Sequence, residues 1–182
     1  MFKKSLQSET GFTLLEILIA LLVLSIGLLG VASLQTRGQQ FNTAAYLYTQ
    51  ATYLATDIMD RMRDNYDMAS RSGGLNRDEL SAAYTKNLKS DACPAEKKCD
   101  DTIGCTALEL AEHNLNQWCE SLNALPEGEA DIVSENFPVE LPGLDDPLIL
   151  TRYTIIIKWW GVSRGSDAEN EVKKEQRWLM IQ

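Results

Sequence analysis

The sequence predicts an α+β protein in which one long N-terminal helix packs on a small antiparallel sheet. Three observations lead to this prediction. Residues 12–34 form an apolar run with one charge, residues 35–65 continue it with an apolar stripe at helical spacing, and the last part of the chain alternates apolar and polar residues. The composition, 45% hydrophobic and 24% charged, excludes disordered and collagen-like chains.

The apolar run predicts a helix that crosses a membrane. From Ile17 to Leu34 there are 18 consecutive uncharged residues. As a helix they are roughly 27 Å long, close to the thickness of the bilayer hydrocarbon. Lys3 and Lys4 precede the run and no basic residue follows it before Arg37, so we expect the N-terminus in the cytoplasm and the bulk of the chain in the periplasm.

Two general interpretations of such a run are a cleaved signal peptide and a signal anchor that is never cut. The small residues 30–32 (GVA) match a signal-peptidase site, so cleavage is expected before Ser33 in the first case. The run is, however, longer than the ~7–15 apolar residues of a signal peptide. Neither interpretation explains Glu16, because an unpaired carboxylate in mid-membrane costs about 2.5–3.5 kcal/mol.

A third interpretation rests on the residues around Glu16. A short leader with two lysines precedes GFTLLE at residues 11–16, and the apolar run follows. This pattern resembles the prepilin processing site of type IV pilins and type II secretion pseudopilins. The resemblance implies that prepilin peptidase cuts between Gly11 and Phe12 and N-methylates the new Phe12 terminus. It also implies the pilin architecture, a long helix on a small sheet.

Cleavage at this site would place a new ammonium group on Phe12 at the edge of the apolar run. A carboxylate in lipid needs a partner, so we expect Glu16 to pair with the terminal amine of a neighbouring subunit in a helical stack. The alternative is that Glu16, five residues inside the run, extends its carboxylate to the membrane surface.

The helix is predicted to continue from the span to Asn65, because no proline occurs before Pro94. Its stripe recurs in steps of three or four residues, which marks the core-facing side: Ala44, Leu47, Ala51, Leu54, Ile58 and Met62. Residues 57–65 (DIMDRMRDN) resemble PilV-type minor pilins, also called type IV pilus modification proteins, and so do residues 115–133 with Trp118, Leu125-Pro126 and Gly128. By chemistry alone, residues 57–65 indicate only a solvated helix end with alternating charge.

The remaining elements follow from local signals. Residues 70–76 and 90–104 are predicted as loops, and residues 77–89 as a short helix. Thr106 begins a helix that extends to Ala124, with Glu109 as its capping-box partner; its apolar face is Leu108, Ala111, Leu115, Trp118 and Leu122. Strands are expected at residues 130–137, 150–160 and 171–181, the last two joined by a polar loop at residues 163–170. Pro138, Pro142 and Pro147 exclude their segment from the sheet centre.

The four cysteines are predicted to form two disulfides, since they lie outside the cytoplasm. Cys105 and Cys119 would be about 21 Å apart along one helix, beyond the roughly 7 Å that a disulfide spans. Cys119 should therefore pair with Cys93 or Cys99, and Cys105 with the other. The spacings lack the close pairs typical of zinc ligands, so we expect no metal site.

The composition also restricts function. A net charge of −9 argues against nucleic-acid binding through a basic surface, and one His offers little for a metal site or a catalytic triad. No phosphate-binding loop or nucleophile motif is present. We therefore expect no catalytic residues and no cofactor. The carboxylate pairs Asp100/Asp101 and Asp145/Asp146 are interpreted as solvated.

The resemblance implies a minor pilin with three parts: a leader, residues 1–11; a transmembrane and assembly segment, residues 12–34; and a periplasmic α+β domain, residues 35–182. Its implied partners are prepilin peptidase, other minor pilins, the major pilin, inner-membrane lipid and a possible tip adhesin, with no nucleic acid. It would prime pilus assembly, support twitching motility and move from the inner membrane to the cell-surface pilus. The alternatives are a minor pseudopilin of type II secretion or a secreted or anchored periplasmic enzyme.

Overall fold

The computed structural model describes residues 12–72, 76–96, 99, 104–143, 146–162 and 171–182. Its order of elements is helix α1 (Leu14–Ser72), helix α2 (Arg77–Tyr84), strand β1 (Asn87–Lys89), helix α3 (Ala107–Ser121), a 3-10 helix (Leu122–Ala124), and strands β2 (Glu129–Val139), β3 (Leu148–Val162) and β4 (Glu171–Ile181). The predicted α+β class is confirmed: a long helix accompanies a four-stranded antiparallel sheet, as in pilin-like folds.

The chain divides into two units, Met1–Thr43 and Ala44–Gln182. In the first unit, every described residue from Phe12 to Thr43 is exposed, and α1 contains a stretch long and apolar enough to cross a membrane. This division differs from the predicted boundary between residues 34 and 35. The predicted boundary marks where the chain leaves the bilayer, and it stays a prediction.

The second unit has its core between α1, α3 and the inner face of the sheet. The predicted stripe of α1 is buried from Leu47 to Met62, and Ala44 is half-buried. On β3 the predicted inner face is confirmed, since its four side chains are buried: Tyr153, Ile155, Ile157 and Trp159. The ring of Tyr48 meets the ring of Trp159 edge to face, with centroids 5.2 Å apart.

The sheet has the order β1-β2-β3-β4, with antiparallel pairing throughout. Strand β4 returns along β3 as predicted; the connecting residues 163–170 lie outside the described residues. Strand β1 covers only residues 129–131 of β2, so Pro138 lies in an edge segment, where its missing N–H breaks no ladder bond.

Helix α1 extends seven residues beyond the predicted end at Asn65. The prediction was wrong because the added turns bury Tyr66 and Ala69 against the core. The predicted loop at 70–76 is therefore helical to Ser72, and its residues 73–75 lie outside the described part of the chain.

The predicted helix at residues 77–89 is also partly wrong. Helix α2 ends at Tyr84, and residues 87–89 form β1. Leu88 is buried in this strand opposite Ala130 of β2. A strand places this one apolar side chain in the core, so long-range pairing overrides the local helical pattern.

Helix α3 begins as predicted at the capping box of Thr106 and Glu109, in which each residue accepts from the other's backbone N–H. Four of its five predicted core residues are buried, but Leu108 is 40% exposed.

Two disulfides form, Cys93–Cys119 and Cys99–Cys105, which is one of the two pairings left open by the sequence. The first attaches the segment before α3 to the buried end of that helix.

Candidate functional site

The predicted processing and assembly residues lie in the first unit. Gly11 and the rest of the predicted leader fall outside the described residues. Phe12 is 80% exposed, and Glu16 lies in the first turn of α1 with an exposed side chain. The pairing of Glu16 with a neighbouring subunit's amine stays a prediction.

The start of α1 contains a signal that the sequence reasoning missed. The Oγ1 atom of Thr13 accepts a hydrogen bond from the backbone N–H of Glu16 at 3.3 Å. Thr and Glu at this spacing are the residues of a capping box, and a carboxylate in the first turn interacts favourably with the helix dipole. Glu16 therefore has a favourable local position in this single chain, in addition to any role in assembly.

Two hydroxyl side chains, one within the apolar run and one just after it, are also compatible with lipid. Ser25 Oγ donates to the carbonyl of Leu22 at 2.7 Å, and Thr36 Oγ1 donates to the carbonyl of Ala32 at 3.1 Å. These bonds satisfy the hydroxyl protons inside the helix itself. They lower the cost of placing these residues in a medium without water.

The second unit contains a buried junction at residues 57–65. Ile58, Met62 and Asn65 are fully buried, so this segment is not merely a solvated helix end, as its charge pattern alone indicates. Asn65 Nδ2 donates to the hydroxyl of Tyr84 at 3.0 Å and to the carbonyl of Ala107 at 2.8 Å. A single amide thus joins α1 to the end of α2 and the start of α3.

Charged residues at this junction face outward but still connect helices. The guanidinium of Arg61 donates to the Asp57 carboxylate at 2.9 Å and to Gln117 Oε1 of α3 at 3.0 Å. The alternating charges therefore support packing between α1 and α3.

Tyrosine hydroxyls extend the polar network into the core. The hydroxyls of Tyr66 and Tyr153 form a hydrogen bond between α1 and β3. Tyr84 also accepts from Asn114 Nδ2 at 3.2 Å. Burial raises the pKa of both Tyr66 and Tyr84 above the ordinary value, because the phenolate would lose its hydration. Both hydroxyls therefore stay protonated and act as hydrogen-bonding groups.

Residues 118–128 make a second set of specific contacts. Trp118 Nε1 donates to the backbone carbonyl of Leu54 in α1 at 2.7 Å, and the backbone N–H of Trp160 donates to the carbonyl of Pro126 at 3.0 Å. At Gly128 an added Cβ would lie 2.4 Å from the carbonyl oxygen of Leu122. Residues 57–65 and 115–133, which the sequence analysis singles out separately, therefore pack in the same part of the second unit. The hydrogen bond from Arg61 to Gln117 joins them.

The outer face of the sheet carries ion pairs near its β1 end. Glu129 accepts from Lys173 at 2.5 Å and lies 3.7 Å from Lys89, and Lys158 donates to Asp131 at 2.6 Å. The bond from Lys173 lowers the pKa of Glu129, and the bond to Asp131 raises the pKa of Lys158. These contacts link all four strands.

Other candidate chemistry is sparse in the described part of the chain, where no group of His, Cys, Asp and Glu is placed to hold a metal ion. A cavity beside the end of α1 is lined by polar side chains of α1, α2, β3 and the residue after β4: Tyr66, Asp67, Ser70, Arg77, Thr151 and Gln182. Asp100, Asp101 and Asp145 lie outside the described residues.

Comparison with known proteins adds one match. Residues 6–32 match the family described as the prokaryotic N-terminal methylation motif. The match includes the predicted cleavage site, Glu16 and most of the apolar run. No curated protein and no solved structure matches the chain significantly.

Proposed function

We propose that this chain acts as a minor pilin of a type IV pilus. Its methylation motif indicates a type IV pilin or pseudopilin that is processed by prepilin peptidase. The motif at residues 6–32 is the observation that carries the proposal. It points to a structural subunit rather than an enzyme, and with the long apolar helix it fits a membrane-anchored pilin.

In the proposed sequence of events, the precursor sits in the inner membrane with residues 35–182 in the periplasm. Prepilin peptidase removes residues 1–11, and Phe12 becomes the methylated terminus. Glu16 then neutralises the terminal amine of a neighbouring subunit as the apolar helices stack. The uniform exposure of residues 12–43 supports this role, since so much exposed apolar surface requires lipid or other helices around it.

The choice of a pilus over a type II secretion system rests on two segments. Residues 57–65 and 115–133 resemble PilV-type minor pilins, and they make specific contacts with each other and with the core, such as Arg61 with Gln117. A subunit of this type primes filament growth together with other minor pilins and the major pilin, and its tip-proximal position brings it close to an adhesin. A minor pseudopilin of type II secretion is the second candidate, because the methylation motif is common to both systems.

The first test is the intact mass and N-terminal sequence of the protein from native membranes. A chain that begins at N-methylated Phe12 supports the proposal. An uncut chain, or one that begins at Ser33, refutes it. Gly11→Ser should lower or block processing, and unchanged mobility of this variant on a gel would refute the cleavage-site assignment.

The second test concerns assembly. Glu16→Ala should leave the protein stable and membrane-bound but poorly incorporated, with reduced piliation and twitching. Ser25→Ala is the matched control, because it removes an exposed polar group about two and a half turns further along the same helix without changing charge. Normal piliation of the Glu16 variant would contradict the assembly role. Recovery of the protein in sheared pili supports the minor pilin. Recovery with a secretion apparatus supports the minor pseudopilin instead.

A further inference from the structure

Two charges delimit the apolar half of α1. Glu16 and Arg37 are the sole charged side chains between Phe12 and Thr56. They lie 21 residues apart on one continuous helix. At about 1.5 Å per residue their Cα atoms are separated by about 31 Å, which matches the ~30 Å hydrocarbon thickness of a bilayer. When Glu16 is at one membrane surface, Arg37 is therefore at the other.

Arg37 has no counter-ion in the described part of the chain. Its side chain is exposed, and the exposed residues 35–43 around it offer hydroxyl and amide groups but no carboxylate. A guanidinium at the edge of the hydrocarbon is stabilised by an anion. The anions at that level of a bilayer are lipid phosphates, and the planar guanidinium donates to two oxygens of one phosphate.

We propose that Arg37 binds phospholipid phosphates of the periplasmic leaflet and thereby sets the depth of the precursor in the membrane. This inference rests on the proposed function, from which it takes the orientation of the helix. With Arg37 held at the phosphates, Thr13 and Glu16 lie at the cytoplasmic surface. Phe12, the residue that would follow the cut, then stays close to the cytoplasm, and the Glu16 carboxylate enters apolar surroundings only when the subunit leaves the bilayer.

The experiment measures depth in the full-length precursor, reconstituted in vesicles of phosphatidylethanolamine and phosphatidylglycerol. Thr13→Cys carries a nitroxide label, because the four native cysteines are held in disulfides. Collision rates with oxygen and with a nickel chelate report the depth of the label. Two variants relocate the arginine by one turn in opposite directions, R37Q/S33R and R37Q/F41R; Ser33 and Phe41 are both exposed.

The expected result is a pair of opposed shifts. Moving the arginine to residue 33 should draw the label about 6 Å deeper, and moving it to residue 41 should displace the label about 6 Å into water, since four residues rise about 6 Å. The uncharged counterparts R37Q/S33Q and R37Q/F41Q serve as matched controls. A separation between the two arginine variants of less than about 3 Å, or one that the controls reproduce, overturns the proposal.

A second arm identifies the ligand. In vesicles of an uncharged galactolipid, which has no phosphate, the opposed shifts should be lost. Shifts of equal size in galactolipid would show that the arginine follows water alone, and the phosphate proposal would be wrong. Cleavage of the wild-type precursor by prepilin peptidase is followed separately by mass. Failure of cleavage refutes the proposed function, whereas normal cleavage with an unresponsive depth refutes this inference alone.

Discussion

Replacement of Asn65 by Ala tests the junction that holds three helices together. Asn65 is 0% exposed, and its amide makes both hydrogen bonds that join α1 to Tyr84 and to the carbonyl of Ala107. A buried acceptor that loses its donor costs about 1–3 kcal/mol; the Tyr84 hydroxyl is buried, whereas Ala107 is only half-buried. Tyr84 retains the bond from Asn114, and the Asn65 Oδ1 atom, which has no hydrogen-bond partner among the described residues, is removed with the side chain.

These opposing terms set the expected loss at about 2 kcal/mol in the free energy of unfolding, toward the middle of that range. The assay is urea unfolding of the full-length chain in detergent micelles, followed by tryptophan fluorescence. All four tryptophans lie in the unit Ala44–Gln182, so the signal reports that unit alone.

The matched control is Asp64→Ala, one residue earlier and on the exposed face of α1, for which we expect a change within about 0.5 kcal/mol. Tyr84→Phe completes a double-mutant cycle, with a coupling of about 1 kcal/mol to Asn65. A loss below about 0.5 kcal/mol for Asn65→Ala, or no coupling, would refute the reasoning that this amide joins the helices.

Two further predictions concern the sheet and its connection to α3. Gly128→Ala should lower the free energy of unfolding of the globular unit by about 1–3 kcal/mol in urea, because the new Cβ would meet the Leu122 carbonyl oxygen. The control is Gly38→Ala, at a position with open space around it. Equal losses in the two variants would contradict this prediction. Glu129→Gln should cost about 0.5–1 kcal/mol near neutral pH by loss of the Lys173 pair. Because the pKa of Glu129 is lowered on folding, this stabilisation is complete above its unfolded-state pKa and is lost as the pH falls through the folded-state pKa. A loss that is the same in acid would show that the charge is irrelevant.

Periodic elements were well predicted from sequence. The stripe of α1 and the inner face of β3 occupy the expected positions, because solvent-facing and core-facing residues repeat with the period of the element. The start of α3 was also predicted, since a capping box is a local interaction between residues three apart.

The errors occur where distant contacts override local preference. Residues 87–89 form a strand because they pair with β2. Helix α1 continues to Ser72 because Tyr66 and Ala69 are buried in the core. Likewise, residues 57–65 look solvated by charge pattern, yet Asn65 is buried, since its partners Tyr84 and Ala107 come from other elements.

The candidate site divides in the same way. The sequence by itself determined the processing motif, the position of Glu16 and the length of the apolar run, because these depend on neighbouring residues and on the thickness of a bilayer. It reduced the cysteine pairing to two choices through the length of one helix. Only the tertiary structure decided between Cys93 and Cys99 as the partner of Cys119. Only the tertiary structure showed that residues 57–65 contact Gln117 and Tyr84. The physical reason is that such contacts depend on how separate elements pack in three dimensions.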